Sequence, residues 1–100
     1  MTLSDEATTI LNTRLRHLLS STKSPASTIC PSQVPRALST QELAIVLGHP
    51  SGDWRQLMDA TRDIVYEMRE RGELEILQRG VVVEAEREDI RGPIRIRWKA

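Results

Sequence analysis

The chain has 100 residues, 39% hydrophobic and 28% charged, a composition typical of one globular domain with a modest core. Lys and Arg together number 14, as do Asp and Glu, so the formal net charge is zero, whereas dedicated nucleic-acid binders usually carry a basic excess. The single cysteine, Cys30, excludes a disulfide within the chain.

The N-terminal third of the sequence predicts one regular helix and one irregular region. The first helix starts after Ser4, whose side chain can cap free backbone N–H groups, and apolar residues then recur at helical spacing over residues 7–19. Residues 28–30 predict a very short extended segment. Pro31 suits the first position of a helix, and Pro35 makes that helix short or irregular.

The middle of the sequence predicts a compact helix followed by the longest one. Ser39 and Glu42 have the spacing of a capping box, and Gly48 is well placed to end the helix that they open. Asp53 can cap a helix from residue 54 to about residue 71, whose apolar stripe over about four turns is the strongest local pattern.

The C-terminal quarter changes from helical to alternating periodicity. Residues 73–76 alternate between charged and apolar, as in a half-buried strand, and Arg79-Gly80 permits a tight turn into the valines of 81–83. A charged loop over 84–91 then leads into a second alternating segment, residues 94–98. This order predicts an α+β winged helix-turn-helix with three main helices, an extra short helix and a small C-terminal antiparallel sheet, the wing.

Four blocks of this sequence are similar to blocks of a known family. They are Thr-Ile-Cys-Pro-Ser at 28–32, Asp-Trp-Arg at 53–55 followed by Leu-Met at 57–58, Gln-Arg-Gly at 78–80, and Arg-Gly-Pro-Ile-Arg-Ile-Arg at 91–97. In these blocks, which occur in the family's order, the chain resembles the uncharacterised family known as domain of unknown function 3253. The resemblance implies a winged-helix fold and implies no activity.

The first functional hypothesis is binding of double-stranded DNA by a regulatory domain. In a helix-turn-helix, residues near the start of the second helix reach base edges in the major groove. Arg55 and Arg62 have the donors to pair with guanine, and Gln56 can pair with adenine. Four arginines of the wing are candidates for holding phosphates: Arg79, Arg91, Arg95 and Arg97. Arg79 and Arg91, nearer the turns, are the freer pair.

The alternative hypothesis is a winged helix that binds a protein partner or a second copy, or that is purely structural. The long helix carries five acids against four arginines, and its spacing predicts solvated pairs of Arg55 with Asp59 and Glu67 with Arg71. An interaction module should expose an apolar patch around Trp98 or Leu77. Trp98 is therefore a candidate partner anchor, and its other interpretation is packing on the first helix.

The same alternative gives the remaining wing charges a structural role. If the first and last strands pair, Glu73 and Glu75 share the outward face with Arg95 and Arg97, and opposite charges across a ladder stabilise the sheet. Cys30 is either a small buried hydrophobe or a redox-sensitive thiol.

No motif in the sequence indicates catalysis, a cofactor or a metal site. The histidines have no ligands at metal-binding spacing, and no Gly-rich phosphate loop or nucleophile elbow occurs. The sequence also lacks a signal peptide and the apolar run of ~20 residues that spans a bilayer. We therefore expect one non-enzymatic intracellular domain over residues 1–100, ordered from about residue 5 to about residue 98 and not associated with a membrane.

Overall fold

The computed structural model of the protein describes residues 3–99. Four α-helices come first along the chain: α1 Asp5–Ser20, α2 Gln33–Arg36, α3 Thr40–Leu47 and α4 Met58–Glu70. Three strands follow: β1 Leu74–Gln78, β2 Val81–Val82 and β3 Arg95–Trp98. The fold is thus α+β, as the sequence predicts, with a small antiparallel sheet at the C-terminus.

The sheet is built around β1, in the order β2-β1-β3, and both neighbours are antiparallel to β1. The segment before α2 adds a single bridge at the outer side of β3, where Ile29 and Ile96 exchange two backbone hydrogen bonds of 2.9 Å. This bridge confirms the short extended segment predicted at 28–30. The topology is compatible with a winged-helix-like arrangement.

Two helices begin and end at the residues that their local sequence indicates. The Ser4 side chain accepts a hydrogen bond from the N–H of Ala7, which caps α1. Ser39 and Glu42 form the predicted capping box at the start of α3, and Gly48 ends that helix in the left-handed conformation, with φ of 81°. A residue without Cβ adopts this conformation at no steric cost.

The capping box of α3 also connects that helix to α1. The Arg14 guanidinium donates to both carboxylate oxygens of Glu42, at 2.9 and 3.1 Å. The backbone N–H of Ser39, helped by Arg14, holds the pKa of Glu42 below its ordinary value. One carboxylate therefore both opens α3 and fixes it against the first helix.

The predicted long helix is divided into two parts. Residues Trp54–Leu57 form a 3₁₀ turn, and the α-helix proper begins at Met58, so the prediction of α-helix from residue 54 is wrong for the first turn. Asp53 caps the N-terminus of this turn with two hydrogen bonds. Its carboxylate accepts from the N–H of Arg55, and its own N–H donates to the side chain of Gln56.

The irregular segment around α2 follows the prolines. The helix has only four residues and begins at Gln33, two positions after the predicted Pro31. Pro35 is buried inside it. Since proline has no N–H to donate and its ring crowds the preceding turn, a longer helix is unfavourable here.

One core joins the helices to the sheet. Its apolar side chains come from one stripe of each helix, from the 3₁₀ turn, from the segment before α2 and from one face of the sheet: Ala7, Leu11, Leu15, Leu19, Ile29, Val34, Val46, Leu47, Leu57, Ile64, Val65, Met68, Leu74, Ile76 and Ile96. The only fully buried polar side chain among the described residues, Thr61, donates its hydroxyl hydrogen to the carbonyl of Leu57. The amphipathic pattern of the predicted long helix is confirmed from Leu57 to Met68 but not at Trp54.

Trp54 lies outside this core. Its ring is half-buried between two guanidinium groups, 5.7 Å from that of Arg36 and 4.6 Å from that of Arg55. The sequence places Trp54 on the apolar stripe of the long helix. The 3₁₀ turn changes the direction of its side chain, because three residues per turn do not continue the 3.6-residue period of the helix.

Across residues 3–99, no helix is long and apolar enough to cross a membrane. The same residues contain no group of three or more His, Cys, Asp or Glu side chains placed to hold a metal ion.

Candidate functional site

The three helix residues predicted to read DNA bases lie at the exposed start of the 3₁₀ turn and α4, and each has an intramolecular partner. Arg55 pairs with Asp53 at 3.1 Å, and Arg62 pairs with Asp59 at 3.3 Å. The side-chain oxygen of Gln56 accepts from the N–H of Asp53 at 2.8 Å. The predicted pair of Arg55 with Asp59 is wrong, since the capping residue is closer to Arg55 once the first turn is 3₁₀.

The same face of α4 is covered further along by the acidic loop, which we define as residues 84–89. Arg87 of this loop pairs with Asp63 of α4 at 2.6 Å. The guanidinium groups of Arg87 and Arg69 lie 4.9 and 5.0 Å from the centre of the Tyr66 ring. Arg69 also donates to the carbonyl oxygen of Ala85 at 2.9 Å. These contacts hold the loop on the outward side of the helix between Asp63 and Arg69.

The acidic loop gives this side of the molecule an excess of negative charge. All of its carboxylates are exposed, and within residues 3–99 none of them forms an ion pair: Glu84, Glu86, Glu88 and Asp89. Glu67 and Glu70 of α4 are exposed and unpaired as well. The predicted pair of Glu67 with Arg71 is wrong, because Arg71 contacts Glu73 at 3.8 Å.

A basic surface lies beside the hairpin turn that joins β1 to β2. Arg79, Arg91 and Arg95 line an open depression of about 670 Å³, together with Leu77, Gln78, Gly92 and Pro93. No carboxylate of the described residues lines it. We call this site the arginine depression. Arg79 and Arg91, the freer pair of the wing arginines predicted to hold phosphates, meet here, while Arg55, Gln56 and Arg62 lie elsewhere.

The hairpin turn positions the first of these arginines. Arg79 and Gly80 have φ values of 52° and 80°, and positive φ at both central residues is what a two-residue type I′ turn requires. Arg79 is the only residue other than glycine with positive φ among residues 3–99. Within the same range, no hydrogen bond or ion pair engages its exposed side chain.

The other two arginines are held by neutral oxygens. The amide of Gln78 donates to the carbonyl oxygens of Arg91 and Pro93, which fixes the loop beside β1. Arg91 donates to the carbonyl oxygen of Glu88, and Arg95 donates to both the hydroxyl and the carbonyl oxygen of Thr28. Because none of these acceptors is charged, no described residue neutralises the positive charge of the depression.

The cross-strand pairs predicted from alternation form in part. Glu75 stands opposite Arg97 and pairs with it at 2.7 Å, as predicted. Arg95 stands opposite Leu77, and Glu73 precedes the strand and pairs with Arg16 of α1 at 2.7 Å. The antiparallel register therefore leaves Arg95 without an acidic neighbour on the sheet. The sequence leaves two roles open for Arg95, a phosphate contact or a cross-strand ion pair, and the observed register removes the second.

The apolar surface differs from the one predicted. Leu77 is only 2% exposed, so a patch at Leu77 is excluded. Trp98 is half-buried against the core, and the guanidinium of Arg16 lies 5.9 Å from its ring, which is the packing on the first helix considered above. Among residues 3–99, the exposed large apolar side chains are Val81 and Val82 of β2, and Ile45 of α3.

Cys30 is half-buried just before α2, and its sulfur lies 3.2 Å from the hydroxyl oxygen of Ser32. No second cysteine exists to form a disulfide with it in the chain. The thiol therefore has a local hydrogen-bonding partner and contributes to no cluster.

The fold and these surfaces define a small α+β domain that has an acidic loop on α4 and a basic depression at the hairpin turn. A family model described as "Protein of unknown function (DUF3253)" matches residues 8–99. The chain belongs to this family, which confirms the resemblance found in its sequence blocks. No curated protein matches the chain.

Proposed function

We propose that this chain is a protein-interaction domain with a winged-helix architecture, and that it does not read DNA with α4. The observation that carries the proposal is the acidic loop held on the outward face of that helix by the 2.6 Å pair between Arg87 and Asp63. A helix that enters the major groove needs this face open and surrounded by positive charge.

Electrostatics support the proposal in the same direction. The acidic loop and the C-terminal half of α4 expose six carboxylates that no described residue pairs with: Glu67, Glu70, Glu84, Glu86, Glu88 and Asp89. When α4 approaches a duplex, these groups approach the phosphates. Each unpaired acid repels the phosphates. This repulsion offsets part of the non-specific affinity that arginine and lysine supply by releasing counterions from DNA.

The intramolecular partners of the helix residues add a smaller cost. Arg55, Gln56 and Arg62 must leave a capping interaction or an ion pair before they contact bases. Exposed ion pairs contribute at most about 1 kcal/mol each, so this cost alone does not prevent binding. The loop on the helix face is therefore the stronger argument.

The competing function, binding of DNA through phosphates, is favoured by the arginine depression. Among residues 3–99, Arg79, Arg91 and Arg95 have no carboxylate partner, and guanidinium groups bind phosphate as well as carboxylate. The depression is nevertheless a local site with three charges. A duplex that follows it past the turn also meets the acidic loop.

Fluorescence anisotropy with random-sequence duplex DNA across a salt series tests the proposal. We expect no binding at low salt, where non-specific affinity is greatest. Binding that weakens steeply with salt, and that the double variant Arg55→Gln/Arg62→Gln reduces, would overturn it. The variant Arg79→Gln/Arg91→Gln removes the same charge and serves as the matched comparison.

A further inference from the structure

We infer that the arginine depression binds carboxylate groups of an acidic segment in the partner protein. This assignment rests on the proposed function, since it names the chemistry of the partner that an interaction domain would bind here. It places the contact at Arg79, Arg91 and Arg95, and not at the helix residues predicted to read DNA.

The charge of the site selects an anion. Three guanidinium groups line one concave surface, and arginine stays protonated at any physiological pH. Like charges in one depression repel each other, and in the free chain only solvent and neutral oxygens offset this repulsion. An anionic group in the depression removes the repulsion and gains charge-assisted hydrogen bonds.

The hydrogen-bond donors of the site are largely available. Arg79 uses none of its N–H groups within residues 3–99, Arg91 uses one guanidinium nitrogen, and Arg95 uses two. Each side chain has five N–H donors in a planar fork that matches the two oxygens of a carboxylate. The bonds that Arg91 and Arg95 already make restrict their rotamers, which lowers the entropy lost on binding.

The size and lining of the site favour a segment over a single ion. A depression of about 670 Å³ falls in the range of sites that hold whole ligands and exceeds what one carboxylate occupies. The exposed Pro93 gives it apolar surface beside the arginines. A chain that alternates acidic and apolar side chains complements both features.

The probe is a short labelled peptide of alternating Glu and Val, with a peptide of alternating Gln and Val as the uncharged control. Anisotropy of the full chain should rise with the first peptide and not with the second. Arg79→Gln/Arg91→Gln should weaken binding by about tenfold or more, because it removes two charged donors. Arg55→Gln/Arg62→Gln, which lowers the net charge equally, should change binding by less than about twofold.

Several outcomes overturn the assignment. Equal losses in the two double variants mean that only net charge attracts the peptide. No binding by the wild-type chain, or equal binding of the uncharged peptide, removes the acidic segment as occupant. Binding of inorganic phosphate alone, without the peptide, makes a free anion the occupant. Circular dichroism and thermal unfolding of each variant establish that it is folded before binding is compared.

Failure here is distinguishable from failure of the proposed function. Duplex DNA that binds through Arg55 and Arg62 overturns the interaction domain itself. If the chain binds neither DNA nor the acidic peptide, only the inference that the depression binds an acidic segment is overturned. Self-association that Arg79→Gln/Arg91→Gln abolishes, measured by size-exclusion chromatography, would make a second copy the occupant and also overturn the acidic segment.

Discussion

The outward face of α4 and the arginine depression are both rich in arginine, yet they differ in what neutralises it. On this face, Arg55 of the 3₁₀ turn, Arg62 of α4 and Arg87 of the acidic loop each lie within 3.3 Å of a carboxylate oxygen. Arg69 of α4 instead donates to the carbonyl oxygen of Ala85. In the depression, the arginines meet carbonyl or hydroxyl oxygens, or no partner among the described residues. Pairing, and not the number of arginines, therefore decides which surface can attract an anion.

The two regions also differ in how deeply their structural contacts are buried. The contact that holds the acidic loop on α4 is exposed, since the side chains of Arg87 and Asp63 are 42% and 59% accessible. Leu77, which lines the depression, is only 2% exposed. Burial of an apolar side chain contributes more than an exposed ion pair, so the depression should withstand perturbation better than the loop contact.

The largest expected effect comes from truncating Leu77, the buried residue that lines the depression. Leu77→Ala should lower the free energy of unfolding by about 2–3 kcal/mol, because it removes a buried side chain and leaves a cavity. Urea denaturation measures the change. Val81→Ala at the neighbouring strand is the control, since Val81 is 66% exposed and its truncation should cost within about 0.5 kcal/mol. Similar costs for both variants would contradict the contrast in burial.

A smaller effect is expected at the turn that positions Arg79. Gly80→Ala should cost about 1 kcal/mol, because an L-residue at φ of 80° is strained although no atom lies within 4 Å of the new Cβ. Thermal unfolding measures the change. Arg79→Asn should be neutral or slightly stabilising, since asparagine tolerates positive φ. A stabilising Gly80→Ala would show that the turn does not have this geometry.

The smallest effect is expected for the acidic loop. A double-mutant cycle of Asp63→Ala and Arg87→Ala should give a coupling below about 1 kcal/mol that decreases further at high salt. Either single variant should nevertheless speed amide exchange in residues 84–89, because the loop loses its anchor on α4. Unchanged exchange in both variants would mean that other contacts hold the loop, and a coupling of several kcal/mol would reverse the ranking of the two regions.

Local sequence patterns predicted the features that depend on residues three or four positions apart. The cap at Ser4, the capping box of Ser39 and Glu42, and the turn at Arg79-Gly80 all form as expected. The amphipathic stripe of α4 also predicted its buried face. Each pattern reflects hydrogen bonding or periodicity within one or two turns of chain, and the rest of the fold does not alter it.

The candidate site was predictable only in part. The sequence identifies Arg79 and Arg91 as the freer arginines of the wing, but it leaves Arg95 open between a phosphate contact and a cross-strand pair. The register of β1 against β3 sets Leu77 opposite Arg95, and Thr28, 67 residues away in sequence, supplies its partner. Alternation predicts which face a strand residue occupies, but it does not fix which residue stands across the ladder.

The sequence by itself determined the order of the elements, their caps and the buried stripes, because these follow from backbone hydrogen bonding and apolar periodicity over short distances. Only the tertiary structure decided which charges neutralise each other. The pair of Asp63 and Arg87 joins residues 24 positions apart, and the depression unites a turn, a loop and a strand. Coulomb attraction depends on distance in space, and that distance is set by how the hairpin and the loop pack on α4.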